Sequence, residues 1–415
     1  MNKKILSWCL FDFANSSYSA VIAAVIFPVY YANVIVGNEA GQGDLWWGRA
    51  ISLSMAVVAI SSPFLGGIAD YAKIRKRLLG FFTCLCIFSV ASLYFLQQGM
   101  ILEGFLLIVA ANIGLEGGLV FYNSYLPDIA KNSHQGRVSA WGYGTGYAGS
   151  IISLIIVLLL INKGFTNLTW PVIALFFGFF SLPAFIFLPK DVQREIRIFT
   201  SAKAGFKQTL ERFKRMWSNK EQRRFLIAYL IYEDGVNTVI VFSSIFAATT
   251  LMFKAEELVI MYLVVQTTAL IGAFLMARPT DYWGPKKVVI ASLALWCIVT
   301  LSAFFVQEKS HFFVIASIAG LGLGTVQSAS RAFYAQFIPK GQEAEYFGVY
   351  ALVGKSSAIM GPLIFGYLSS AFGSQRPAIL SVALFFIAGF FIVRSAKGGG
   401  PNVECDIKRT DTSIF

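Results

Sequence analysis

Twelve apolar runs, each about 20–30 residues long, leave this chain few ways to fold. Wound as an α-helix, such a run spans the hydrocarbon layer of a bilayer, whereas barrel strands would be about 10 residues long and alternating. Lipid offers no hydrogen bonds, so each run must satisfy its own backbone groups, which a helix does. The runs lie near 7–35, 46–70, 78–97, 101–127, 136–161, 170–188, 224–248, 257–277, 287–307, 311–338, 345–371 and 376–394. Composition agrees, because 13% of the residues are charged against about 25% in soluble domains. The sequence therefore predicts an all-α polytopic membrane protein.

The connections are short except for residues 189–223, which are polar and basic and divide the spans six and six. This predicts an N-terminal six-helix bundle over 1–188, a cytoplasmic linker over 189–223, a C-terminal bundle over 224–394 and a cytoplasmic tail over 395–415. Within the linker, Phe206, Leu210, Phe213 and Trp217 recur at i, i+4, i+7 and i+11 among bases, the pattern of an interfacial helix near 203–217. Met1 to Lys4 lead into an apolar run that continues past Val36, longer than a signal-peptide core, so a first span is expected there.

With both termini in the cytoplasm, 27 of the 34 Lys and Arg fall on the cytoplasmic side. Five fall outside (Arg49, Lys163, Lys254, Lys309 and Arg376), and Arg331 and Lys355 lie within spans. That asymmetry follows the positive-inside rule. The net charge of +12 therefore belongs to topology and does not call for a nucleic-acid partner. The five cysteines lack paired spacing, so neither a disulfide framework, a metal site nor a cofactor is expected.

An even number of spans in each half makes the halves parallel, as in transporters built from repeats about the membrane normal. Three echoes keep the same order. Asp12-x-x-Asn15 returns as Asp234-x-x-Asn237, Asp70-Tyr71 as Asp281-Tyr282, and Phe121-Tyr122-(x)4-Pro127 as Phe333-Tyr334-(x)4-Pro339.

Six ionisable groups sit inside spans: Asp12, Glu116, Glu233, Asp234, Arg331 and Lys355. Facing lipid together they would cost roughly 15–20 kcal/mol, so they are expected to converge on a shared interior. Spans 3, 6, 9 and 12 carry none in their interiors and are free to face lipid. Asn112, Glu116 and Asn123 share one helical face, at i, i+4 and i+11. Glu116 and Lys355 lie near mid-span, which places acid and base where a solute would cross. They form either a substrate site or a buried structural pair. Asn15, Asn237 and Gln327 are further expected polar contacts to solute. Glu116, then Glu233 and Asp234, are the expected carriers of a coupled proton, because a charged carboxylate is costly at that depth. Asp12 and Arg331 are expected at a gate.

The stretch Gly66-Gly67-Ile68-Ala69-Asp70-Tyr71-Ala72-Lys73-Ile74-Arg75-Lys76-Arg77 resembles the signature loop of the major facilitator superfamily, with Lys73 in place of its second glycine. The later copy, Asp281-Tyr282-Trp283-Gly284-Pro285-Lys286-Lys287, keeps that glycine. The opening Trp8-Cys9-Leu10-Phe11-Asp12-Phe13-Ala14-Asn15-Ser16-Ser17-Tyr18 is similar to the start of the vacuole-effluxer-like branch, relatives of the fungal vacuolar amino-acid effluxer. Asn123 to Asp128 and Gly136 to Gly142 are similar to that branch's span 4–5 region. The resemblance implies a major-facilitator-type fold and makes Asp70, Arg75, Asp281 and Lys286 gate residues. It also implies efflux of a small solute, amino acids among the options.

The expectation is a monomeric, proton-coupled secondary transporter of a zwitterionic or carboxylate-bearing solute, working by alternating access in a bacterial inner membrane. Sugar, nucleoside, peptide and siderophore remain alternative solutes, and a substrate-sensing receptor on the same fold remains an alternative function. No Gly-x4-Gly-Lys-Ser/Thr loop is present for ATP, and no nucleophile–base or metal constellation suggests an enzyme.

Overall fold

The structure is a computed structural model that describes residues 2–37, 42–191, 214, 216–358, 360–361, 364–365, 368, 372 and 375–396. Most of the expected linker helix and the tail after Ala396 lie outside the described residues.

Twelve long helices follow one another among the described residues. In the first half they are α1 (Lys3–Ser17), α2 (Gln42–Ala72), α3 (Arg75–Ser92), α4 (Ile101–Ser124), α5 (Gln135–Asn162) and α6 (Thr169–Phe187). In the second they are α7 (Lys220–Thr249), α8 (Ala255–Leu275), α9 (Pro285–Phe305), α10 (Lys309–Ala335), α11 (Glu343–Ser356) and α12 (Gln375–Ser395). Nine are long and apolar enough to cross a membrane by length and composition. The other three, α1, α7 and α11, carry Asp12, Glu233 with Asp234, and Lys355, so the helices least like lipid spans hold four of the ionisable groups.

Two of these spans are irregular. Beyond Ser17, α1 continues in wide π-helical turns over Tyr18–Val25, one α-turn over Phe27–Tyr30, and a second π stretch over Tyr31–Val36. Pro28 has no N–H to return to the preceding turn, and Ile26 N–H reaches back five residues to Val21 O at 3.1 Å. The second irregularity follows α11. The chain turns at Ser357–Ala358, helical backbone resumes at residues 360–361, and both carboxylate oxygens of Asp234 accept the Gly361 N–H at 2.9 Å. A carboxylate at a helix start satisfies a donor that the break leaves open.

The two halves are built alike. In the first, α1 packs on α5 and α6, α4 on α2 and α3, and α3 on α6. Adding six to each label gives contacts that the second half also makes: α7 with α11 and α12, α10 with α8 and α9, and α9 with α12. Across the interface the matched pairs are α2 with α11 and α8 with α5, then α4 with α11 and α10 with α5. This is the packing expected of two parallel repeats.

Lipid-facing stripes are legible on the outer helices. Leu175, Phe179, Leu182 and Ile186 on α6, and Leu380, Leu384, Ile387 and Phe391 on α12, recur at i, i+4, i+7 and i+11 and are exposed. Helices α4 and α10, which share the Phe-Tyr-(x)4-Pro echo, are the most deeply buried of the nine.

Helix direction defines two ends of the bundle. The near end holds the starts of α1, α3, α5, α7, α9 and α11 and the ends of the even-numbered helices. Ion pairs such as Arg75–Asp128 at 2.5 Å lie there. The far end carries contacts such as Lys309–Glu257 at 2.7 Å.

Candidate functional site

Alternating helix direction brings mid-span residues of α4, α7 and α11 to one level, and the chain's costliest groups meet there. Glu116 Oε1 lies 2.7 Å from Lys355 Nζ, joining α4 of the first half to α11 of the second. Neither side chain is sealed: Glu116 is 11% and Lys355 28% exposed. Glu233 on α7 is buried and within electrostatic range of Lys355. Tyr18, where α1 loosens into π turns, is within electrostatic range of Glu116. Asn112, one turn before Glu116, is turned aside, because its Nδ2 donates to Ser54 Oγ on α2 at 2.6 Å.

A second charged group crosses the interface toward the near end. Arg331 on α10 is 2% exposed and inserts into the first half. Its Nε donates to Ser139 Oγ at 2.9 Å, its Nη2 to Ser139 O at 2.7 Å, and its Nη1 to Asn123 Oδ1 at 3.1 Å. Asp12 Oδ2 lies 3.6 Å from Nη1. The guanidinium also sits over the rings of Tyr143 and Trp8, with Cζ 4.0 Å and 4.7 Å from the two centroids. Asn15 donates to Asp12 Oδ1 at 3.4 Å, on the same carboxylate.

The near end itself is held shut by backbone-directed carboxylates. Asp70 Oδ2 accepts the Glu345 N–H at 2.9 Å, and Asp281 Oδ1 accepts the Arg137 N–H at 2.9 Å. Arg75 reaches Asp128, the Ser124 carbonyl at 3.0 Å and Glu343 at 3.6 Å, and stacks on Tyr125. Lys286 acts within its own half, donating to the Arg394 carbonyl at 3.0 Å and to that of Ala396. The backbones of α2 and α11 touch here. A Cβ on Gly66 would collide with the Ala344 carbonyl, and one on Gly348 with the Ser62 carbonyl.

The far half is open by contrast. A cavity of about 700 Å³ lies between the halves, lined by Ser19, Trp47 and Tyr147 from the first and mainly by apolar residues of α7 to α10 from the second. Polar groups on its wall include Gln327, Gln266 and Tyr262. Tyr147 OH donates to Gln327 Oε1 at 2.9 Å, a hydrogen bond between the halves. Asn237 bonds Ser357 Oγ at 3.2 Å, beside the break after α11.

The structure thus gathers Glu116, Lys355 and Glu233 into one group and Asp12, Asn15, Asn123 and Arg331 into another. Asn112, Asn237, Asp234 and Lys286 are held within their own halves. Sequence reasoning passed over Trp8, Ser139, Arg137, Asp128 and Glu343 as site residues. Trp8, Asp128, Arg137 and Ser139 lie in the three stretches that carry the branch resemblance, the one signal that would have singled them out.

Comparison with known proteins agrees with this architecture. A family described as "Vacuole effluxer Atg22 like" matches residues 49–397. An uncharacterized MFS-type transporter of Bacillus subtilis, YxiO, is 30% identical over 402 residues, covering 93% of each chain. Autophagy-related protein 22-1 of Penicillium rubens is 23% identical over 429 residues, covering 80% of this chain and 72% of its own. Among solved structures, the human organic anion transporter MFSD10 superposes with a TM-score of 0.70 at 17% identity, covering 94% of this chain and 98% of its own.

Proposed function

From the premise that the chain belongs to the Atg22-like vacuole effluxer family, and is a multi-pass transporter of the major facilitator type rather than an enzyme, we propose that it carries a small zwitterionic, amino-acid-like solute by proton-coupled alternating access. The observation that carries this reading is the Glu116–Lys355 pair. It joins the halves at mid-span, is accessible on both partners, and presents one charge of each sign. A zwitterion replaces such a pair one charge for one, its ammonium on Glu116 and its carboxylate on Lys355, so neither buried charge is left unpaired. Glu233, buried within electrostatic range of Lys355, supplies an acid that holds a proton when Lys355 turns to the solute.

The near end corresponds to the cytoplasmic face, since it holds the basic loops. In this state the cytoplasmic side is shut by Arg331, Asp70, Asp281 and Arg75, and the cavity lies in the outer half. Cycling to the opposite state requires those contacts to break and the far half to close. This supports a bacterial inner-membrane carrier with cytoplasmic termini, and the family supports efflux as its direction. A receptor on the same fold would bind solute without flux.

The test is counterflow in proteoliposomes preloaded with unlabelled amino acids. Labelled amino acid accumulates with the wild type and not with Glu116→Gln or Lys355→Met. Binding with no counterflow would favour the receptor, and wild-type flux in both variants would remove the site from this pair.

A further inference from the structure

The cage around Arg331 has an unequal construction. Among the described residues, its hydrogen-bond, ion-pair and ring contacts all come from the first half: Trp8 and Asp12 on α1, Tyr122 and Asn123 on α4, Ser139 and Tyr143 on α5. The guest alone comes from the second half. The walls also hold one another without the guest. Trp8 Nε1 donates to the Tyr122 carbonyl at 2.9 Å, the two rings stack 4.6 Å apart, and Asn15 braces Asp12. Three aromatic faces, a carboxylate and three oxygen acceptors are the chemistry that binds an organic cation. The guest meets the acid loosely, since Arg331 Nη1 stands 3.6 Å from Asp12 Oδ2, longer than a charge-assisted hydrogen bond.

We infer that this cage is a second cation-binding subsite, for an alkylammonium or guanidinium group, which Arg331 occupies as a built-in stand-in ligand while the near end is shut. The inference rests on the alternating-access reading. When the halves part at the near end, Arg331 leaves with its own half and the preformed cage stays. A desolvated Asp12 then lacks its counter-ion, an arrangement that is strongly unfavourable until a cation replaces it. The ammonium of a solute entering from the near side, on its way to Glu116 one level deeper, is the cation at hand. The cage would thus receive the solute first, and the return of Arg331 would pass it on as the near end closes.

Two experiments test this, one independent of transport. In purified Arg331→Ala the cage is vacated, and methylguanidinium at tens of millimolar should raise the melting temperature by several degrees more than sodium at equal ionic strength. Asp12→Asn in the same background should abolish the difference, and that double variant removes both charges of the pair, which guards against simple misfolding. Arg331→Gln serves where Arg331→Ala does not fold. A response that survives Asp12→Asn, or no response in either single variant, overturns the proposal. In wild-type proteoliposomes, methylguanidinium should inhibit counterflow competitively from the near side and at least tenfold more weakly from the far side; equal potency from both sides overturns it. Methylguanidinium stabilisation of the single variant without amino-acid counterflow in the wild type would leave the cage standing and remove the solute reading. Counterflow without stabilisation would do the reverse.

Discussion

Asp70 and Asp281 occupy the same place in two different helices' caps. Each accepts the backbone N–H of the third residue of a helix in the opposite half, Glu345 in α11 and Arg137 in α5, and each bond is 2.9 Å long. The two carboxylates are 211 positions apart in a chain whose halves pack alike. A capping carboxylate satisfies an orphan donor and meets the positive end of the helix dipole, together about 1 kcal/mol. Here that energy is spent across the interface, so it favours the state closed at the near end. Asp70→Ala and Asp281→Ala should each raise amide exchange of Glu345 or Arg137 about fivefold, the equivalent of about 1 kcal/mol. Effects confined to one of the two helices would show that the caps are not equivalent.

The Glu116–Lys355 pair gives a thermodynamic cycle. Removing one partner of a fully buried pair costs about 3–5 kcal/mol. Partial exposure of both side chains lowers that to about 1–3 kcal/mol here. Glu116→Gln and Lys355→Met should each lower the unfolding midpoint, while the double variant should recover most of the loss and still fail in counterflow. A double variant no more stable than the singles would mean that the two charges are not coupled.

How much of this was legible beforehand depends on the kind of information required. Glu116 and Lys355 declared themselves because a charge in the middle of an apolar run has few places to go, and burial by lipid is not one of them. The repeat declared itself through Asp70-Tyr71 and Asp281-Tyr282. The partners did not. Nothing local to Asp234 points to the Gly361 amide, and nothing local to Ser139 points to a guanidinium 192 residues away. Trp8 and Tyr143 read equally well as core aromatics, since a ring that walls a cage and a ring that fills a core have the same composition. The π turns after Ser17 answer to Pro28, ten residues downstream of where they begin, and helical periodicity alone does not report them.

Asp234 separates a structural role from a coupling role. Both its oxygens serve the Gly361 N–H, so Asp234→Asn keeps an acceptor at the helix start and loses only the charge. A capping role anticipates a stability loss of at most about 0.5–1 kcal/mol with proton-driven uptake retained. Glu233→Gln, which removes a buried acid beside Lys355, should abolish the pH-driven component instead. Loss of pH-driven uptake in Asp234→Asn with Glu233→Gln unaffected would exchange the two assignments.

Closing the near end requires α2 and α11 to approach until their backbones touch, and Gly66 and Gly348 are the points of contact. A Cβ at Gly66 meets the Ala344 carbonyl, and one at Gly348 meets the carbonyl of Ser62 and, at 2.9 Å, Pro63 Cα. Backbone atoms cannot turn aside as a flexible side chain does, so the helices must part. Overpacking of this kind costs about 1–3 kcal/mol, and here the cost falls on the near-closed state alone, because the opposite state separates these helices. Gly348→Val should therefore shift the population toward an open near end with a smaller effect on unfolding than on conformation. Alkylation of cysteine introduced at Ser328, a buried position in the half of α10 toward the near end, should accelerate in Gly348→Val while counterflow falls. Unchanged alkylation together with a lowered melting temperature would instead mean that the clash is relieved by local distortion and that the glycine contact does not govern the gate.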